Sequence, residues 1–185
     1  MIYGERIRFR HAERDDLPVF VEWINDPEVR QGIALYLPMS LANEEKWFEG
    51  MLQRPIDEQP LCIEIRLGDD WQLIGNCSFF GIDHRVRSAE VGILIGDKNY
   101  WNQGYGTEAM ALLLAHGFNT LNMNRIFLRV YETNPRAIRS YEKAGYVLEG
   151  RQRQAHFIDG EYVDVLLMSV LHGEWIQKQK PSENP

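Results

Sequence analysis

The sequence predicts a single-domain α/β fold, in which a mixed, mostly antiparallel sheet of about seven strands is flanked by about four helices. Its 185 residues suffice for one domain with a sizeable core. Apolar residues alternate with polar ones in several short stretches and recur three or four positions apart in others, which indicates strands and helices respectively. Helices separate some of the predicted strands and short turns join the rest, so parallel and antiparallel neighbours are both expected.

The N-terminal part of the chain is predicted to form one strand followed by helices. In GERIRFRHA, Ile7 and Phe9 alternate with arginines, as in a half-buried strand. The segment ERDDLPVFVEWIND predicts a helix capped by Asp15 or Asp16, and DPEVRQG predicts a further turn of helix. Ser40 is expected to cap the next helix, which lies in LANEEKWFEGMLQR.

The remainder of the chain alternates strands with two more helices. PLCIEIRL and WQLIGNCSFFGI flank the hairpin signal GDD, and RSAEVGILIG and RIFLRVYE are the strands on either side of the helix in TEAMALLLAHGF. The segment NPRAIRSYEKAGY predicts a helix capped by Thr133 or Asn134 and ended by Gly145. YVLEGRQRQAHFI and EYVDVLLMSVL form a closing hairpin around Asp159-Gly160. We expect one domain over residues 1–175 and a disordered polar tail over residues 176–185.

Composition and charge argue against several classes of protein. The formal net charge of −7 disfavours a nucleic-acid partner, which would select a basic surface, and mildly favours a cationic one. No apolar run reaches the roughly 18 residues of a membrane span, and the charged N-terminal stretch is unlike a secretory signal. Cys62 and Cys77 lie in strand-like runs without metal-ligand spacing, so we expect reduced core cysteines, a cytoplasmic location and no metal.

Gly104 and Gly106 lie between a predicted strand and a long predicted helix. Glycine lets a ligand approach the main chain, and the unpaired amides at a helix N-terminus bind phosphate without a basic side chain. The turn therefore indicates a phosphate-bearing ligand, although the lysine of the Walker pattern is missing. A dinucleotide-binding turn, with Ala109 at the third glycine position and Glu132 on the ribose, stays open, as does a turn that only reverses the chain.

Two motifs together resemble those of the GNAT superfamily of acyl-CoA N-acyltransferases. The phosphate loop of that family reads Arg/Gln-x-x-Gly-x-Gly/Ala, and here it departs only at its first position, in Trp101-Asn102-Gln103-Gly104-Tyr105-Gly106. The later family motif, Asn-x-x-Ala-x-x-x-Tyr-x-x-x-Gly-Tyr/Phe, is matched by Asn134, Ala137, Tyr141, Gly145 and Tyr146. RSAEVGI and FIDGEYVDVLLMSVL are most similar to the branch that contains ribosomal-protein alanine and spermidine N-acetyltransferases.

The resemblance implies transfer of an acetyl group from acetyl-CoA to a primary amine by direct attack. It implies cofactor contacts from the strand before the loop, from the loop and from the later motif, namely Ile93, Leu94, Ile95, Trp101, Asn102, Gln103, Gly104, Tyr105, Gly106, Thr107, Asn134, Ala137 and Lys143. For Lys143 and Arg139 a solvated helix face is the alternative interpretation.

The acceptor is left open by the sequence: it can be a protein N-terminus, a polyamine, an aminoglycoside or an amino-acid-like metabolite. Transfer of acyl groups other than acetyl also stays open. The early glutamate cluster typical of the spermidine branch is missing from QGIALYLPMSLANEE.

By the same resemblance, Tyr141 is the candidate acid that protonates the leaving thiolate, with a core-packing tyrosine as the alternative. Glu90 is the candidate base for the amine proton, with a structural partner of an arginine as the alternative. Gly92 is interpreted as a β-bulge that frees backbone groups for the pantetheine arm. His84 and His156 are further candidate bases, but both are expected to be surface residues.

Two other functions stay open from the sequence. One is a regulatory module that binds CoA with little catalysis, and the other is a nucleotide-binding α/β protein. The closing hairpin carries more apolar residues than one sheet face needs, and related enzymes often dimerise near such hairpins, which predicts a homodimer.

Overall fold

The computed structural model describes residues 1–33 and 35–179, which form one mixed sheet with helices on both faces. The described strands are β1 Ile2–Tyr3, β2 Ile7–His11, β3 Leu61–Leu67, β4 Asp70–Asp83, β5 Ser88–Ile95, β6 Arg125–Tyr131, β7 Val147–Ile158 and β8 Glu161–Leu171. The α-helices are α1 Leu17–Asn25, α2 Pro27–Arg30, α3 Leu41–Leu52, α4 Tyr105–Asn119, α5 Pro135–Ala144 and α6 His172–Gln179. The predicted α/β fold is confirmed, and β1 and α6 come in addition to the predicted elements.

The strands follow the order β1-β2-β3-β4-β5-β6-β8-β7 across the sheet. Helix α4 joins β5 to β6, which are parallel as the sequence indicated, and every other neighbouring pair among the described strands is antiparallel. Helix α5 joins β6 to β7, but these two strands are not neighbours. The closing hairpin places its second strand, β8, against β6 and leaves β7 at the edge.

The two faces of the sheet carry separate apolar clusters because successive side chains of a strand point in opposite directions. On β3, Ile63 and Ile65 belong to the cluster beneath α4 and α5, whereas Cys62 belongs to the cluster beneath α1 and α3. Cys77 joins the first cluster, and both cysteines are buried free thiols, as predicted.

None of the helices within residues 1–33 and 35–179 is long and apolar enough to cross a bilayer.

Strands β5 and β6 pair over only part of their length. The paired residues are Ser88 with Arg125, Ala89 with Ile126 and Glu90 with Phe127. Beyond Glu90, β5 stays hydrogen-bonded to β4 as far as Ile95, and β6 stays hydrogen-bonded to β8 as far as Tyr131. The sheet therefore opens between them, and the β6-facing backbone of β5 has no strand partner there.

Local sequence signals set several helix ends. The Ser40 hydroxyl accepts a hydrogen bond from the Asn43 amide at 3.2 Å, and the Asn134 side chain accepts one from the Ala137 amide at 3.1 Å. Gly145 ends α5 with a left-handed φ of 108°, a conformation that favours glycine. These three predictions are confirmed, with Asn134 rather than Thr133 as the cap of α5.

The C-terminal helix α6 corrects the predicted tail. Residues 176–179, which we expected to be disordered, continue the helix to Gln179, and residues 180–185 lie outside the described residues. The ring of Trp175 packs on Phe118 at 5.4 Å between centroids, and the Lys178 ammonium donates to the Gly145 carbonyl at 3.1 Å. These contacts hold the helix against the domain, and the polar composition of the segment did not reveal them.

A partly buried network around Asp16 joins the first turn to the sheet. The Arg10 guanidinium donates to both Asp16 oxygens, at 2.7 and 2.8 Å, and to Glu64 at 2.7 Å. Asp16 also accepts from the Glu13 amide and from the Cys62 thiol. Asp16 is the N-cap residue of α1, as predicted, but its carboxylate makes no capping hydrogen bond to that helix, because its bonds go to the preceding turn and to the sheet. Burial acts to raise the pKa of Asp16, but the hydrogen bonds from Arg10 and Glu13 outweigh it, and the net pKa is lowered.

We expect Asp16→Asn to lower the free energy of unfolding by about 3 kcal/mol at neutral pH, because it leaves Arg10 without its main partner. The pKa of Asp16 is lower in the folded chain, so its contribution is present above the unfolded value of about 3.9 and is lost as the pH falls through the folded value. Urea unfolding at several pH values measures the effect, and the gap between variant and wild type should shrink in acid. Glu49→Gln, in the exposed pair with Arg14, is the control and should leave the midpoint unchanged. Equal losses in both variants would contradict the prediction.

Candidate active site

A cavity of about 810 Å³ lies at the gap between β5 and β6. On one face of the sheet its wall is formed by the first turn of α4 and by α5, and on the other face by α1, α3 and β4. Val91 points into the cluster beneath α4 and α5, so its neighbours Glu90 and Gly92 point towards the α1 and α3 face. The cavity thus joins the two faces of the sheet where the strands part.

The glycine turn forms the wall at the N-terminus of α4. Gly104 has a left-handed φ of 86°, which permits the sharp entry into the helix. The amides of the following residues, Tyr105, Gly106 and Thr107, belong to the first turn, where backbone donors have no intrahelical acceptor and carry partial positive charge. The Thr107 and Ser140 hydroxyls lie 2.9 Å apart and join this turn to α5. The turn can therefore bind an anion through its backbone.

Arg6 holds the glycine turn from outside, a role that the sequence did not reveal. Its guanidinium donates to Glu108 at 2.8 Å and to the Gln103 carbonyl at 3.2 Å, and it lies 4.5 Å from the centre of the Tyr105 ring. The Arg6 amide donates to the same glutamate at 2.7 Å. The charge of Glu108, an acidic residue in the first turn of α4, is thereby compensated. Arg6 resembled any outward-facing arginine of a strand, because its partners lie about a hundred residues away in the chain.

Trp101, the departure from the family loop pattern, is fixed by two contacts. Its indole N–H donates to the Ile95 carbonyl at 2.7 Å, and the Arg136 guanidinium lies 3.4 Å from the centre of its ring. Arg136 lines the cavity and forms no salt bridge within the described chain, although the charge of Glu28 acts on it. Desolvation by burial lowers the pKa of Arg136. A positive charge thus stands beside position 101, supplied by α5 rather than by the loop.

All but one of the predicted cofactor residues line the cavity. Those lining it are Ile93, Leu94, Ile95, Trp101, Asn102, Gly104, Tyr105, Gly106, Thr107, Asn134, Ala137 and Lys143. Gln103 does not line it, because its side-chain amide donates to the Asn99 carbonyl at 2.6 Å. Arg139 and Lys143 line the cavity from α5, but both are exposed, so the structure is compatible with the solvated face as well.

Tyr141 is both a core residue and a cavity residue. It is 9% exposed, belongs to the cluster beneath α4 and α5, and lines the cavity. Burial raises the pKa of Tyr141 to about 12, so its phenol stays protonated at neutral pH. The two interpretations left open by the sequence are therefore compatible: the ring packs in the core while the side chain reaches the site.

Glu90 lines the cavity and is paired with an arginine. Arg129 donates to its two carboxylate oxygens, at 2.8 and 3.0 Å. This is the structural partnership that the sequence offered as the alternative to a base. The pair is accessible from the cavity, and the hydrogen bonds that Arg129 donates to Glu90 are the main reason that the pKa of Arg129 is raised.

The predicted β-bulge at Gly92 is wrong. The β4–β5 ladder passes through Gly92 without a register shift, opposite Ser78. A Cβ at Gly92 would lie 2.9 Å from the Phe80 ring, so glycine is needed here for close packing. The free backbone groups expected from a bulge arise instead from the parting of β5 and β6.

The two histidines considered as bases occupy different surroundings. His84 is exposed in the turn after β4, as predicted. His156 is partly buried and lines the cavity, so the expectation of a surface residue is wrong. Its ring stacks on Tyr131 and on Tyr36, with centroids 4.6 and 5.7 Å away, and its Nε2 lies 3.1 Å from the Tyr131 hydroxyl.

Within residues 1–33 and 35–179, no three His, Cys, Asp or Glu side chains are placed to hold a metal.

Comparison with known proteins agrees with this geometry. The family model of the acetyltransferase (GNAT) domain matches residues 6–147. An uncharacterized N-acetyltransferase, p20 of Bacillus licheniformis, is 28% identical over 94% of this chain and 97% of its own. YdaF of Bacillus subtilis, a candidate ribosomal N-acetyltransferase, is 30% identical over 93% of this chain and 94% of its own. The crystal structure of spermidine N-acetyltransferase from Vibrio cholerae with CoA and spermine superposes with a TM-score of 0.82, at 26% identity, over 92% of this chain and 98% of that one.

Both branches expected from the sequence, ribosomal and spermidine N-acetyltransferases, are thus among its relatives. The family match covers more than half of the chain and includes the glycine turn, the parted strands and the helix that carries Tyr141. The chain belongs to the GNAT acetyltransferase family and is an acetyl-CoA-dependent acyltransferase.

Proposed function

We propose that this protein is an N-acetyltransferase that moves the acetyl group of acetyl-CoA directly to a primary amine. The observation that carries the proposal is the cavity that joins the two faces of the sheet between β5 and β6. Direct transfer needs both substrates to meet in one site, and a cavity lined from both faces of the sheet can receive them from opposite sides. The Vibrio cholerae neighbour, whose structure holds CoA and spermine together, supports this arrangement.

The CoA phosphates are proposed to bind at the first turn of α4. The amides of Tyr105, Gly106 and Thr107 supply the donors, and the helix dipole adds partial positive charge. Arg136, held over the Trp101 ring and free of salt bridges within the described residues, supplies a full charge. The unpaired edge of β5, from Ile93 to Ile95, offers backbone groups to the amides of the pantetheine arm. These residues fit a long phosphorylated ligand with an amide-containing arm.

Tyr141 is proposed as the acid that protonates the thiolate of CoA as it leaves. Its raised pKa, about 12, keeps the proton available throughout the neutral range. It lines the cavity from α5, the helix next to the proposed phosphate site. No hydrogen bond within the described residues engages its hydroxyl, so the proton is free for a ligand.

Glu90 is proposed to receive the proton of the attacking amine, directly or through water. Its carboxylate faces the α1 and α3 side of the cavity, which is the proposed entrance for the acceptor. The bonds from Arg129 occupy both oxygens, so Glu90 must use a remaining lone pair or exchange one of these bonds. A purely structural Glu90–Arg129 pair is the competing explanation.

We also propose a homodimer that forms near the closing hairpin. Large apolar side chains are exposed on β7 and β8, namely Val147, Leu148, Phe157 and Tyr162. Exposed apolar side chains concentrated on one element favour association, and β7 is an edge strand.

The cytoplasmic location stays a prediction.

Gly106→Val should raise the Kd for acetyl-CoA at least tenfold, or about 1.4 kcal/mol, because a branched side chain obstructs the approach of phosphate to the amides, whereas the family pattern accepts alanine at this position. The added Cβ itself has room, since it would lie 3.4 Å from the Ser140 hydroxyl and 3.7 Å from Ile95. Gly50→Val, in α3 with nothing within 4 Å of the added Cβ, is the matched control and should not alter affinity. Calorimetric titration measures both. Unchanged binding in a folded Gly106 variant would rule out the phosphate site.

The proposed function is tested by a panel of primary amines with detection of the released CoA thiol. We expect turnover with at least one amine and a fall of roughly 10–1,000-fold in Tyr141→Phe, which keeps the ring and removes the acid. Affinity for acetyl-CoA should stay nearly intact in that variant. CoA binding without turnover by the wild type would point to the regulatory module instead, and wild-type turnover in Tyr141→Phe would leave this residue a packing role only.

Glu90→Gln tests the base through its pH dependence. An alkyl ammonium has a pKa of about 10.4 and a peptide α-amine about 7.7–8.0, so more acceptor arrives deprotonated as the pH rises. If Glu90 takes the proton, the ratio of variant to wild-type rate should be lowest at neutral pH and should climb between roughly pH 6.5 and 9.5. A ratio that stays flat over this range would assign Glu90 to the structural pair with Arg129.

A further inference from the structure

Tyr146 carries a buried hydroxyl that has no hydrogen-bond partner. The residue follows α5 and Gly145, is 3% exposed and belongs to the cluster beneath α4 and α5. Among the fully buried side-chain nitrogen and oxygen atoms of residues 1–33 and 35–179, its hydroxyl oxygen alone is unpartnered. An unpartnered buried polar group lowers stability. Phenylalanine, which the family motif also accepts here, would fill the same space without that loss, so packing alone does not explain the hydroxyl.

The end of α5 fixes Tyr146 beside Tyr141, the proposed acid. The Tyr146 amide donates to the Tyr141 carbonyl and the Gly145 amide to the Glu142 carbonyl, both at 3.0 Å. This pattern is the Schellman motif that a left-handed glycine permits at a helix end. It brings the two tyrosine rings together, with centroids 6.0 Å apart and planes inclined by 57°. Tyr141 lines the cavity and Tyr146 does not, so Tyr146 can influence the site only through its neighbour.

The proposed acid step leaves a negative charge on Tyr141 in this enclosed place. As the C–S bond breaks, the thiolate sulfur takes the proton of the Tyr141 hydroxyl, and Tyr141 remains a phenolate until solvent returns a proton. Burial alone raises the pKa of Tyr141 to about 12, whereas a thiol like that of cysteine has a pKa of about 8.5. The proton transfer is therefore uphill unless a donor stabilises the phenolate.

Tyr146 keeps its proton under the conditions in which Tyr141 loses its own. Burial, and after it the charge of a Tyr141 phenolate, raise the pKa of Tyr146 well above its usual range. The Tyr146 hydroxyl is thus a donor that stays protonated, has no acceptor within the described residues and belongs to the ring packed against the acid.

Building on the proposed function, we propose that Tyr146 is a positioning residue for the acid: its hydroxyl donates a hydrogen bond to the Tyr141 oxygen, directly or through one enclosed water. Tyr141 accepts this bond while it donates to the sulfur, so the two phenols form a chain that ends at the leaving group. The bond strengthens as its acceptor becomes charged. It is therefore stronger in the transition state than in the resting enzyme, which is the condition for accelerating the reaction.

A double-mutant cycle tests whether Tyr146 acts through Tyr141. The values of kcat and of the KM for acetyl-CoA are measured for the wild type, Tyr146→Phe, Tyr141→Phe and the double variant. We expect Tyr146→Phe to lower kcat about tenfold with KM unchanged, as for the loss of one hydrogen bond to a charged group, and to have no further effect once Tyr141 is Phe. Tyr3→Phe removes an exposed hydroxyl from β1, outside the cavity, and is the control that should keep the wild-type kcat.

Two results of the cycle would overturn the proposal. One is a wild-type kcat in Tyr146→Phe, and the other is an equal fall in kcat in both backgrounds, which would assign Tyr146 a packing role. Because Tyr146→Phe removes an unpartnered buried hydroxyl, its thermal midpoint should not fall below that of the wild type.

A titration of Tyr141 keeps this inference distinct from the proposed function, because it needs no acceptor amine. The chain is produced with 3-fluorotyrosine, whose phenol is more acidic, and the fluorine resonance of Tyr141 is identified by its absence from Tyr141→Phe. Without the Tyr146 donor, the titration midpoint of Tyr141 should rise by about one pH unit, whereas Tyr3→Phe should leave it in place. A raised midpoint would support the contact between the phenols even in a protein that acetylates no amine, and an unchanged midpoint would overturn it whatever the activity.

Discussion

The loss of backbone pairing between β5 and β6 is the constraint on which the rest of this structure depends. Each strand keeps its outer partner, β4 or β8, so the sheet opens only along one seam. Backbone groups that leave a sheet must find other partners, and a ligand can supply them. The opening also interrupts the barrier between the two apolar clusters, so a cavity can reach both faces of one sheet.

The walls of this opening are held by contacts that lie outside it. Arg6, from the loop before β2, binds the glycine turn through Glu108, the Gln103 carbonyl and the Tyr105 ring. Trp101 is anchored to the end of β5. Donors that are fixed before a ligand arrives need little reorganisation when charge appears beside them, which is the general advantage of a preorganised site. The N-terminal end of the sheet therefore contributes to the proposed cofactor site without lining it.

The acids of the core and those of the cavity differ in the partners that surround them. Asp16 and Glu64 are bound by arginines in a network that joins β2, β3 and the turn before α1. Glu90 is paired as well, but at the edge of the cavity, where its partner Arg129 is also exposed to a ligand. Glu44, which is buried and also lines the cavity, alone among these four has no partner in the described part of the chain.

The sequence by itself determined the features that depend on neighbouring residues: the strands and helices, the caps at Ser40 and Asn134, the glycine turn and the motif around Tyr141. Backbone propensity, capping and motif spacing depend on residues a few positions apart, so they can be recognised from the sequence alone. Only the tertiary structure decided which side chains meet. In the structure, Gln103 lies outside the cavity, His156 lines it, and α6 is held against the domain. Arg6 resembled an ordinary surface charge, because what distinguishes it is the presence of partners remote in sequence.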